Sequence, residues 1–391
     1  MSVDVFFASP RQKALRAEET LPSKLDLILD RLHIRDRVKD ELVAIKMHLG
    51  YNIGYSTVHP VFVRKVVQAV KDGGGQPFVT DSAGSALNAH TRGYTNETLG
   101  CPILPTHGAN EKYVYPIARE YKSIKEWQVG GHLHDATFLI DLAHAKGHPS
   151  CGFGGCFKNL ALGGMAWPTR SAIHDVMHFD RYWFADRCPS QEQRQAIIAS
   201  CPSGSIVQDR EAETELHIHF DPCNQCGRCL RVAPEGSLRI APVNFHSFQE
   251  AMAHSVDLVL GTFDRNKQVF INIATQITPV CDCFGFTGPA VLPDAGIFAS
   301  NDIVAVEQAV LDALGRSKLI VENVPDCMEV QPGAGPHPIQ QLHGPYKDPY
   351  VVVRKGQELG LGVPDYQLVN VMDGEEAPSL ADQTTISAGG A

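Results

Sequence analysis

The sequence predicts an α/β fold in which a largely parallel sheet is interrupted by a small cysteine-rich insert. Three features lead to this prediction. In the first half of the chain, short apolar runs alternate with segments of helical spacing, an order typical of βαβ units. Between residues 185 and 241, long apolar strands are missing and closely spaced cysteines take their place. After residue 241 the alternation of strand and helix resumes.

The domain boundaries follow these changes of pattern. We expect an α/β body built from residues 1–184 and 242–373, with the insert at residues 185–241. Because the two parts of the body flank the insert, strands from both should meet in one sheet. The tail, residues 374–391, is rich in small and acidic residues, so we expect it to be disordered.

Apolar runs identify the individual strands. The first ten residues contain one strand, and further strands are predicted at residues 43–49, 77–81, 137–142, 268–273 and 366–371. Helical spacing marks residues 61–70, 248–260 and 302–314, the last beginning at an Asn301 or Asp302 cap. Residues 324–349 contain six prolines, so we expect a long irregular loop there.

Charge and hydropathy argue against several classes of protein. The formal net charge is −10 and no Lys/Arg-rich run occurs, so nucleic-acid binding is not expected. No apolar run approaches the roughly 18–20 residues of a membrane span. The N-terminus lacks the basic start of a secretory signal, so a cytoplasmic location is expected. The 11 cysteines should then be thiols or metal ligands rather than disulfides.

A cysteine motif in the insert predicts an iron–sulfur cluster. Cys223, Cys226 and Cys229 have the C-x2-C-x2-C spacing of bacterial ferredoxins, which wraps three corners of a cubane cluster with soft thiolates. In such a ferredoxin a fourth cysteine follows after three residues, but Ala233 stands there. Cys201, which precedes a proline, matches the last cysteine of an earlier copy of the motif.

The pattern of missing cysteines assigns the fourth ligand. Counting back from Cys201, the earlier copy would need cysteines at residues 191, 194 and 197, which are Gln, Arg and Ile. In two-cluster ferredoxins the fourth cysteine of each motif ligates the other cluster. One cluster would therefore lack all its ligands, including that at 233, whereas the other keeps all four. The sequence predicts a ferredoxin-like insert with one [4Fe–4S] cluster. A zinc site on the same thiolates and a purely structural cluster are the alternatives.

A Gly-rich turn follows the predicted strand at 137–142. His148 and Lys158 lie at either end of the turn and are candidate catalytic residues, because a histidine can move protons and a lysine can hold an anion. Glycines let backbone N–H groups approach a ligand, although the spacing fits neither a dinucleotide fingerprint nor a Walker loop. A solvated turn is the alternative. The residues predicted to bind a cofactor are Gly152, Gly154, Gly155 and Asn159.

Two cysteines separated by one residue, Cys281 and Cys283, follow the predicted strand at 268–273. The carboxyl ends of strands in a parallel sheet share one edge, where ligands bind. We therefore expect these thiols to lie near His148 and Lys158 and to act in catalysis, by binding a soft metal or accepting electrons. The alternative is a pair of small buried residues at a tight turn.

Several stretches of the chain resemble a family of iron–sulfur centre proteins of unknown function that carry a ferredoxin insert. The resemblance covers most of the chain, and the stretches that carry it are residues 44–49, 74–82, 148–162, 270–300 and 358–362. The resemblance implies the fold and the iron–sulfur cofactor, but no activity. Members of that family usually carry two complete ferredoxin motifs, whereas this sequence keeps one.

A shorter stretch is similar to the active site of lactate racemases that use a nickel-pincer nucleotide. The spacing of His148, Lys158 and His174 carries this resemblance. It implies proton transfer by His148, cofactor binding by Lys158 and nickel ligation by His174. His174 and His178 are also four residues apart, which would place both on one face of a helix, as in some metal sites.

These features predict an iron–sulfur redox protein, an oxidoreductase or redox-coupled maturation enzyme of anaerobic metabolism. Electrons would pass between one [4Fe–4S] cluster and the Gly-rich pocket. The implied partners are an electron donor or acceptor protein and a small-molecule substrate, and the sequence leaves room for a second metal or small-molecule cofactor and for an oligomer. The alternatives are a non-catalytic electron-transfer or cofactor-carrier protein and a pincer-cofactor isomerase with a structural cluster.

Overall fold

The computed structural model describes residues 2–372 of the chain. The tail predicted at residues 374–391 lies outside the described residues. The strands are β1 (Val3–Ala8), β2 (Leu42–Lys46), β3 (Gln76–Asp81), β4 (Ile103–Pro105), β5 (Val114–Tyr121), β6 (Ile124–Gly130), β7 (Phe138–His144), β8 (Lys146–His148), β9 (Gly152–Gly154), β10 (Ile206–Gln208), β11 (Leu216–Ile218), β12 (Gln268–Ala274), β13 (Gly296–Ser300) and β14 (Tyr366–Asn370).

Helices alternate with these strands through most of the chain. They are α1 (Leu21–Arg31), α2 (Ile34–Arg37), α3 (Pro60–Asp72), α4 (Ala83–Ala86), α5 (Asn96–Leu99), α6 (Gly131–His134), α7 (Cys156–Gly163), α8 (Trp167–Asp175), α9 (Gln191–Ala199), α10 (Arg228–Val232), α11 (Pro242–Leu260), α12 (Ile303–Gly315), α13 (Pro338–His343) and α14 (Val351–Glu358). Within residues 2–372, no helix combines the length and hydropathy that crossing a bilayer requires.

Eight strands form one sheet in the order β14-β1-β13-β12-β7-β2-β3-β4. All neighbouring pairs are parallel except the two that β13 makes, so β13 alone runs in the opposite direction. The predicted α/β class with a largely parallel sheet is therefore correct. Strands from both sides of the insert pair directly, because β12 lies beside β7 with Val269 opposite Ile140 and Ile271 opposite Leu142.

The central strands are apolar along both faces because helices cover both sides of the sheet. Every residue of β7 and β12 is buried. Alternate residues of β2 show the two layers: Val43 and Ile45 pack in the cluster that contains α3, whereas Ala44 packs in the cluster that contains α7, α11 and α12. Each such Val, Leu, Ile or Phe side chain stabilises the fold by roughly 1.5–3 kcal/mol on burial.

The order of the strands creates a crevice between β2 and β7. From β2 the chain continues outward to β3 and β4, and it then returns to β7 on the other side of β2. The helices that follow β2 and β7, α3 and α7, lie in the packing clusters on opposite faces of the sheet. The connections after these strands therefore diverge at their carboxyl ends, the position where open α/β sheets bind ligands.

Local sequence explains where the helices α11 and α12 start. It also explains why the loop predicted at residues 324–349 contains a helix. The helix predicted at 248–260 begins at Pro242, since proline suits the first position of a helix and the Asn244 side chain accepts from the Ala241 N–H. Asp302 caps α12 by accepting from the Ala305 N–H. The prediction of a wholly irregular loop at 324–349 is wrong, because α13 begins there at a proline.

The cysteine-rich insert leaves and rejoins the body at adjacent points. Phe184 N–H donates to Ser237 O, and Arg239 N–H donates to Tyr182 O, so the chain segments at its two ends run side by side. Between these ends lie α9, the β10–β11 hairpin and α10. Their buried side chains, such as Ile218, belong to the same packed cluster as the α11 layer of the body. The insert therefore packs against the body, while its boundaries at 185 and 241 stay a prediction.

Candidate functional site

A cavity of about 360 Å³ opens at the carboxyl ends of β2, β3, β7 and the segment after β12. Strand ends bring polar side chains there because the backbone must leave the apolar sheet at this edge. The polar side chains that line it include Lys46, His48, Asp81, Glu111, His144, Lys146, Lys158, Asn159, Arg170, Cys281 and Cys283.

Lys158 and the two cysteines of the 281–283 turn lie together in this cavity. The Lys158 Nζ is 3.7 Å from the Cys281 Sγ and 3.5 Å from the Cys283 Sγ. Burial alone would raise the pKa of Cys281, but hydrogen bonding with Cys283 and the charge of Lys158 lower it well below its usual range. The pKa of Cys283 is raised, because the neighbouring Cys281 thiolate favours its protonated form. The pair therefore carries one thiolate, on Cys281, beside an ammonium group.

His148 contacts the thiol pair through Cys283. Its Nε2 lies 3.3 Å from the Cys283 Sγ, and its Nδ1 accepts from the Ser150 N–H at 3.2 Å. Burial, with the nearby Lys158 charge, lowers the pKa of His148 well below its usual value. The imidazole is neutral, and because Nδ1 accepts, the proton sits on Nε2 and points to sulfur.

The ligand atoms of His148, Cys281 and Cys283 all lie within 4.8 Å of one another. One nitrogen and two sulfurs suit a soft or borderline ion such as zinc, nickel or copper. Binding through Nε2 would move the imidazole proton to Nδ1 and break the contact with the Ser150 N–H. The sequence prediction that these side chains come together is thus matched by their positions, and a metal site is one of the arrangements they permit.

The facing wall of the cavity carries a charged group that sequence reasoning missed. Asp81, at the end of β3, accepts from Lys46 Nζ at 3.1 Å, from His48 Nδ1 at 3.0 Å and from the Leu49 N–H at 2.9 Å. Burial alone would raise the pKa of the Asp81 carboxyl, but Lys46 and His48 hold it below its usual range. Lys46 and Asp81 each end a largely apolar strand with a charged side chain, and this is the signal that the sequence offers.

The predicted cofactor-binding residues differ in position. Gly154 and Gly155 line the cavity, and so does Asn159. The Asn159 amide is engaged on both sides, since Oδ1 accepts from Lys46 Nζ and Nδ2 donates to Asp141. Gly152 has φ of +80° and lies against the Lys347 carbonyl, where a Cβ would come within 2.5 Å. Glycine there permits close packing of two segments.

Four of the five cysteines in residues 185–241 line a separate small cavity. Its walls include the apolar side chains Ile206, Ile218 and Ile240. The turn between the cysteines is tight, with φ of 54° at Gln225 and 73° at Gly227. Backbone N–H groups reach sulfur here, as that of Ser205 does at 3.2 Å. The cysteines that line this cavity are Cys201, Cys223, Cys226 and Cys229.

At positions 191, 194 and 197, where an earlier ferredoxin motif would carry cysteines, two of the three side chains stabilise the fold. Gln191, Arg194 and Ile197 lie on α9, where a cluster-binding loop would otherwise run. Arg194 is buried and donates to the Cys188 and Pro189 carbonyls, and Ile197 belongs to the packed core. These side chains therefore stabilise the packing of α9.

Residues 343–347 contact two turns. One is the turn at residues 223–229, the cysteine turn, and the other is the Gly-rich turn between His148 and Lys158. Lys347 is buried, and its Nζ donates to the Asp221 carbonyl at 2.6 Å. Burial lowers the pKa of Lys347 to about 8, although the nearby groups Cys223, Asp221 and Cys151 favour its charged form. Gln225 also reaches this segment, as its Oε1 accepts from the Tyr346 N–H at 3.1 Å. The two turns are thus held together by shared contacts.

His174, the predicted metal ligand, is not among the ligand atoms that His148, Cys281 and Cys283 bring together within the described residues. Its Nδ1 is 3.3 Å from the Asp221 Oδ1, and its ring packs on Phe248. His178 instead contacts the Ile218 carbonyl through Nε2 at 2.9 Å, so the two histidines have different partners. A carboxylate beside one imidazole nitrogen is a common arrangement for metal-binding histidines, and it leaves Nε2 of His174 for another contact.

Comparison with known proteins yields a family and similar solved structures. No curated protein matches this chain. The lactate racemase apoprotein from Thermoanaerobacterium thermosaccharolyticum is similar at 10% sequence identity with a TM-score of 0.30, over 70% of this chain and 51% of that one. The chain thus spans about half the length of that protein. Residues 43–312 match the family model described as a domain of unknown function, DUF362. Since this match covers more than half of its length, the chain belongs to the DUF362 family.

Proposed function

We propose that this protein is an iron–sulfur redox protein, an oxidoreductase or a redox-coupled maturation enzyme. When bound, a [4Fe–4S] cluster supplies electrons singly, and the cavity beside Lys158 is where they would be used. The function requires an electron-donor or acceptor protein and a small-molecule substrate as partners. The residues proposed to hold the cluster are Cys201, Cys223, Cys226 and Cys229.

The donor set of the insert supports this cofactor. Four thiols line one cavity whose other walls include apolar side chains, and thiolates are the ligands that iron–sulfur clusters prefer. Around a tetrahedral zinc ion with Zn–S bonds of about 2.3 Å, sulfurs would lie about 3.8 Å apart. Among these cysteines no three sulfurs lie within 4.8 Å of one another, which favours a larger group than a single ion.

The observation that carries the proposal is the position of Lys347. Its Nζ donates to the Asp221 carbonyl, just before Cys223 in the chain, and its own carbonyl lies against Gly152 of the Gly-rich turn. Protein contacts therefore join the segment beside the proposed cluster to the Gly-rich turn beside the cavity. Contacts of this kind would suit transfer of electrons between the two sites.

The thiol pair suits electron exchange. Cys281 and Cys283 can cycle between a dithiol and a disulfide. Reduction breaks the S–S bond and consumes two electrons, and because Cys281 stays a thiolate it consumes one proton, which ends on Cys283. Lys158 stabilises the thiolate, and His148 donates a hydrogen bond to the Cys283 sulfur. These residues can therefore hold the charge and the proton that the cycle requires.

The first test is the metal content of anaerobically purified protein. We expect about four iron and about four acid-labile sulfide per chain, as for one cubane cluster. Cys201→Ser should lose the cluster absorbance and spin signal, although Cys201 is far from Cys223 in sequence. Cys327→Ser, which changes an exposed cysteine outside the motif, should keep both. Near eight iron, stoichiometric zinc, or an unaffected Cys201→Ser variant would refute the ligand assignment.

The second test asks whether the cluster and the thiols exchange electrons. After mild oxidation, protein is reduced anaerobically with a photoreduced dye, and free thiols at Cys281 and Cys283 are counted by alkylation and peptide mass spectrometry. Wild-type protein should recover both thiols faster than the Cys201→Ser variant. Equal recovery rates in the two proteins would show that the cluster does not serve the pocket, and would leave it a structural element.

A second candidate function is metal-dependent catalysis with a structural cluster. The geometry that favours it is the close approach of His148, Cys281 and Cys283. Elemental analysis would then find a second metal in addition to iron, and mass spectrometry would find any released cofactor. Cys283→Ser should remove the second metal and leave the iron content unchanged. Iron as the sole metal, with no released cofactor, would exclude this candidate.

A further inference from the structure

Six large apolar side chains are exposed together beside the cavity, and each is between 40% and 73% exposed. They are Tyr51, Ile53, Tyr55, Leu87, Phe284 and Phe286. They belong to three segments, residues 49–58, 82–89 and 283–293, which form the apolar face. Exposed apolar residues that are scattered singly need no explanation, whereas a contiguous set marks an interaction surface.

Hydrogen bonds join the three segments of the apolar face. The Ile53 N–H donates to the Gly285 carbonyl at 3.1 Å, which links the first segment to the third. Arg92 links the first segment to the second, because its guanidinium donates to the Leu49 carbonyl at 2.7 Å and to the Ser85 carbonyl at 3.0 Å. The exposed side chains are therefore presented by a fixed backbone, which reduces the entropy lost when a partner binds.

The segments of the apolar face contain no Asp, Glu, Lys or Arg, although 20% of the chain is charged. The formal net charge is −10, so two copies of the chain repel each other at long range. A surface without charges is where this repulsion is weakest and where apolar burial can exceed it. A transient electron carrier, in contrast, is steered to its site by charged residues, which these segments lack.

The exposed apolar area is close to what a stable dimer needs. Since a whole aromatic side chain has roughly 150–250 Å² of surface, the six side chains together expose on the order of 700 Å². This exceeds the roughly 300–600 Å² of the largest apolar patch on a typical monomer. It approaches the about 800 Å² that each partner buries in an interface of standard size.

We propose that the apolar face is the interface of a two-fold symmetric homodimer. A two-fold axis through the face brings the same surface of both copies together, so one uncharged surface serves both partners. Tyr51 also lines the cavity, and the Phe284 ring lies 5.5 Å from that of His148. The second copy therefore lies beside the cavity of the first. This inference is independent of the proposed iron–sulfur function.

The test is the mass of the full chain in solution, measured by sedimentation velocity and light scattering on anaerobically purified protein. At tens of micromolar, wild-type protein should have twice the mass of one chain. Ile53→Asp and Tyr55→Asp each place a charge in the interface at an exposed position, so each should raise the dimer dissociation constant by about tenfold or more. Leu15→Asp, at a side chain 98% exposed outside the face, should remain dimeric. Circular dichroism verifies that each variant is folded.

Salt provides a second measurement with an opposite sign for the two kinds of interface. Raising sodium chloride from about 0.05 M to about 0.5 M screens the repulsion between two acidic chains, so the dimer should become tighter, whereas a charge-steered complex would weaken. A dimer that dissociates in salt, a monomeric wild-type protein, or a dimer that Ile53→Asp and Tyr55→Asp leave intact would overturn the proposal.

Two further outcomes separate this proposal from other occupants and from the proposed function. A monomer that binds added ferredoxin, and loses this binding in Tyr55→Asp, would overturn the dimer in favour of an electron carrier. Because none of the three segments lies within residues 185–241, Cys201→Ser should remain dimeric after it loses iron. A dimer of wild-type protein that holds no iron would support the interface while refuting the iron–sulfur function.

Discussion

The ammonium group of Lys158 lies 3.7 Å from the sulfur of Cys281, although 123 positions separate the two residues in the chain. Lys158 stands on α7, which follows β7 through the Gly-rich turn, and Cys281 follows β12, which pairs with β7 in parallel. Neighbouring parallel strands end at the same edge, so the two side chains converge there.

Removing the Lys158 charge should make Cys281 a weaker nucleophile. In Lys158→Met, the thiolate loses its nearest cation, so the pKa of Cys281 should rise. Alkylation of Cys281 by iodoacetamide at pH 6.5, followed by peptide mass spectrometry, should slow by about tenfold or more. Cys101 is an internal control, because burial raises its pKa to about 11 and its reactivity should be low in both proteins. Equal rates would mean that Lys158 does not stabilise the thiolate.

Stability should fall as pH rises because of Glu307. Burial raises the pKa of this carboxyl to about 7, above its value in the unfolded chain, so the folded state binds the proton more tightly. The contribution of Glu307 to the free energy of unfolding is fully present below about pH 4.5 and is lost as pH rises through about 7. In wild-type protein this carboxyl should lower the free energy of unfolding by on the order of 3 kcal/mol between pH 4.5 and pH 7, and Glu307→Gln should remove that decrease.

The measurement for Glu307 is urea unfolding at pH 4.5, 6 and 7.5. Glu120→Gln serves as the matched control, since Glu120 is exposed and the variant should keep the wild-type pH dependence. If the Glu307→Gln variant showed the same pH dependence as wild-type protein, the carboxyl would not be the group responsible.

Gly147 should be intolerant of a side chain. A Cβ at this position would lie 2.5 Å from the Pro279 carbonyl oxygen, which belongs to the backbone and cannot rotate away. Gly147→Ala should therefore destabilise the protein by about 1–3 kcal/mol and push the Cys281 turn away from His148. Chemical unfolding and alkylation of Cys281 measure the two effects. Gly288→Ala, where no atom lies within 4 Å of the added Cβ, should change stability by less than about 0.5 kcal/mol.

Loss of the Lys347 charge should make the proposed cluster harder to reduce. A nearby cation stabilises the extra electron, so Lys347→Met should lower the reduction potential on the order of tens of millivolts. Potentiometric titration followed by electron paramagnetic resonance measures the shift. Lys355→Met is the control, because Lys355 pairs with Glu358 at the surface. An unchanged potential in both variants would place Lys347 too far from the cluster to act on it.

Sequence alone determined the class of the fold and most of its central elements. Residues 137–142 and 268–273 are largely apolar without regular alternation, which is typical of strands covered on both faces, and they form the paired strands β7 and β12. The spacing of Cys223, Cys226 and Cys229 is a local pattern, readable without a structure because a single tight turn presents all three. Such features depend on neighbours in the chain.

Tertiary structure decided which distant groups share a site and what charge each carries. His48, Asp81 and Lys146 were missed because a single charged residue at a strand end has no distinguishing local pattern, and its use depends on partners far away in the chain. Which ring nitrogen of His144 carries the proton is decided by a hydrogen bond from its Nε2 to the carbonyl of Thr275, 131 residues later. Protonation states respond to burial and to nearby charges across the whole cavity, so the order of the strands had to be known before the chemistry of the site could be derived.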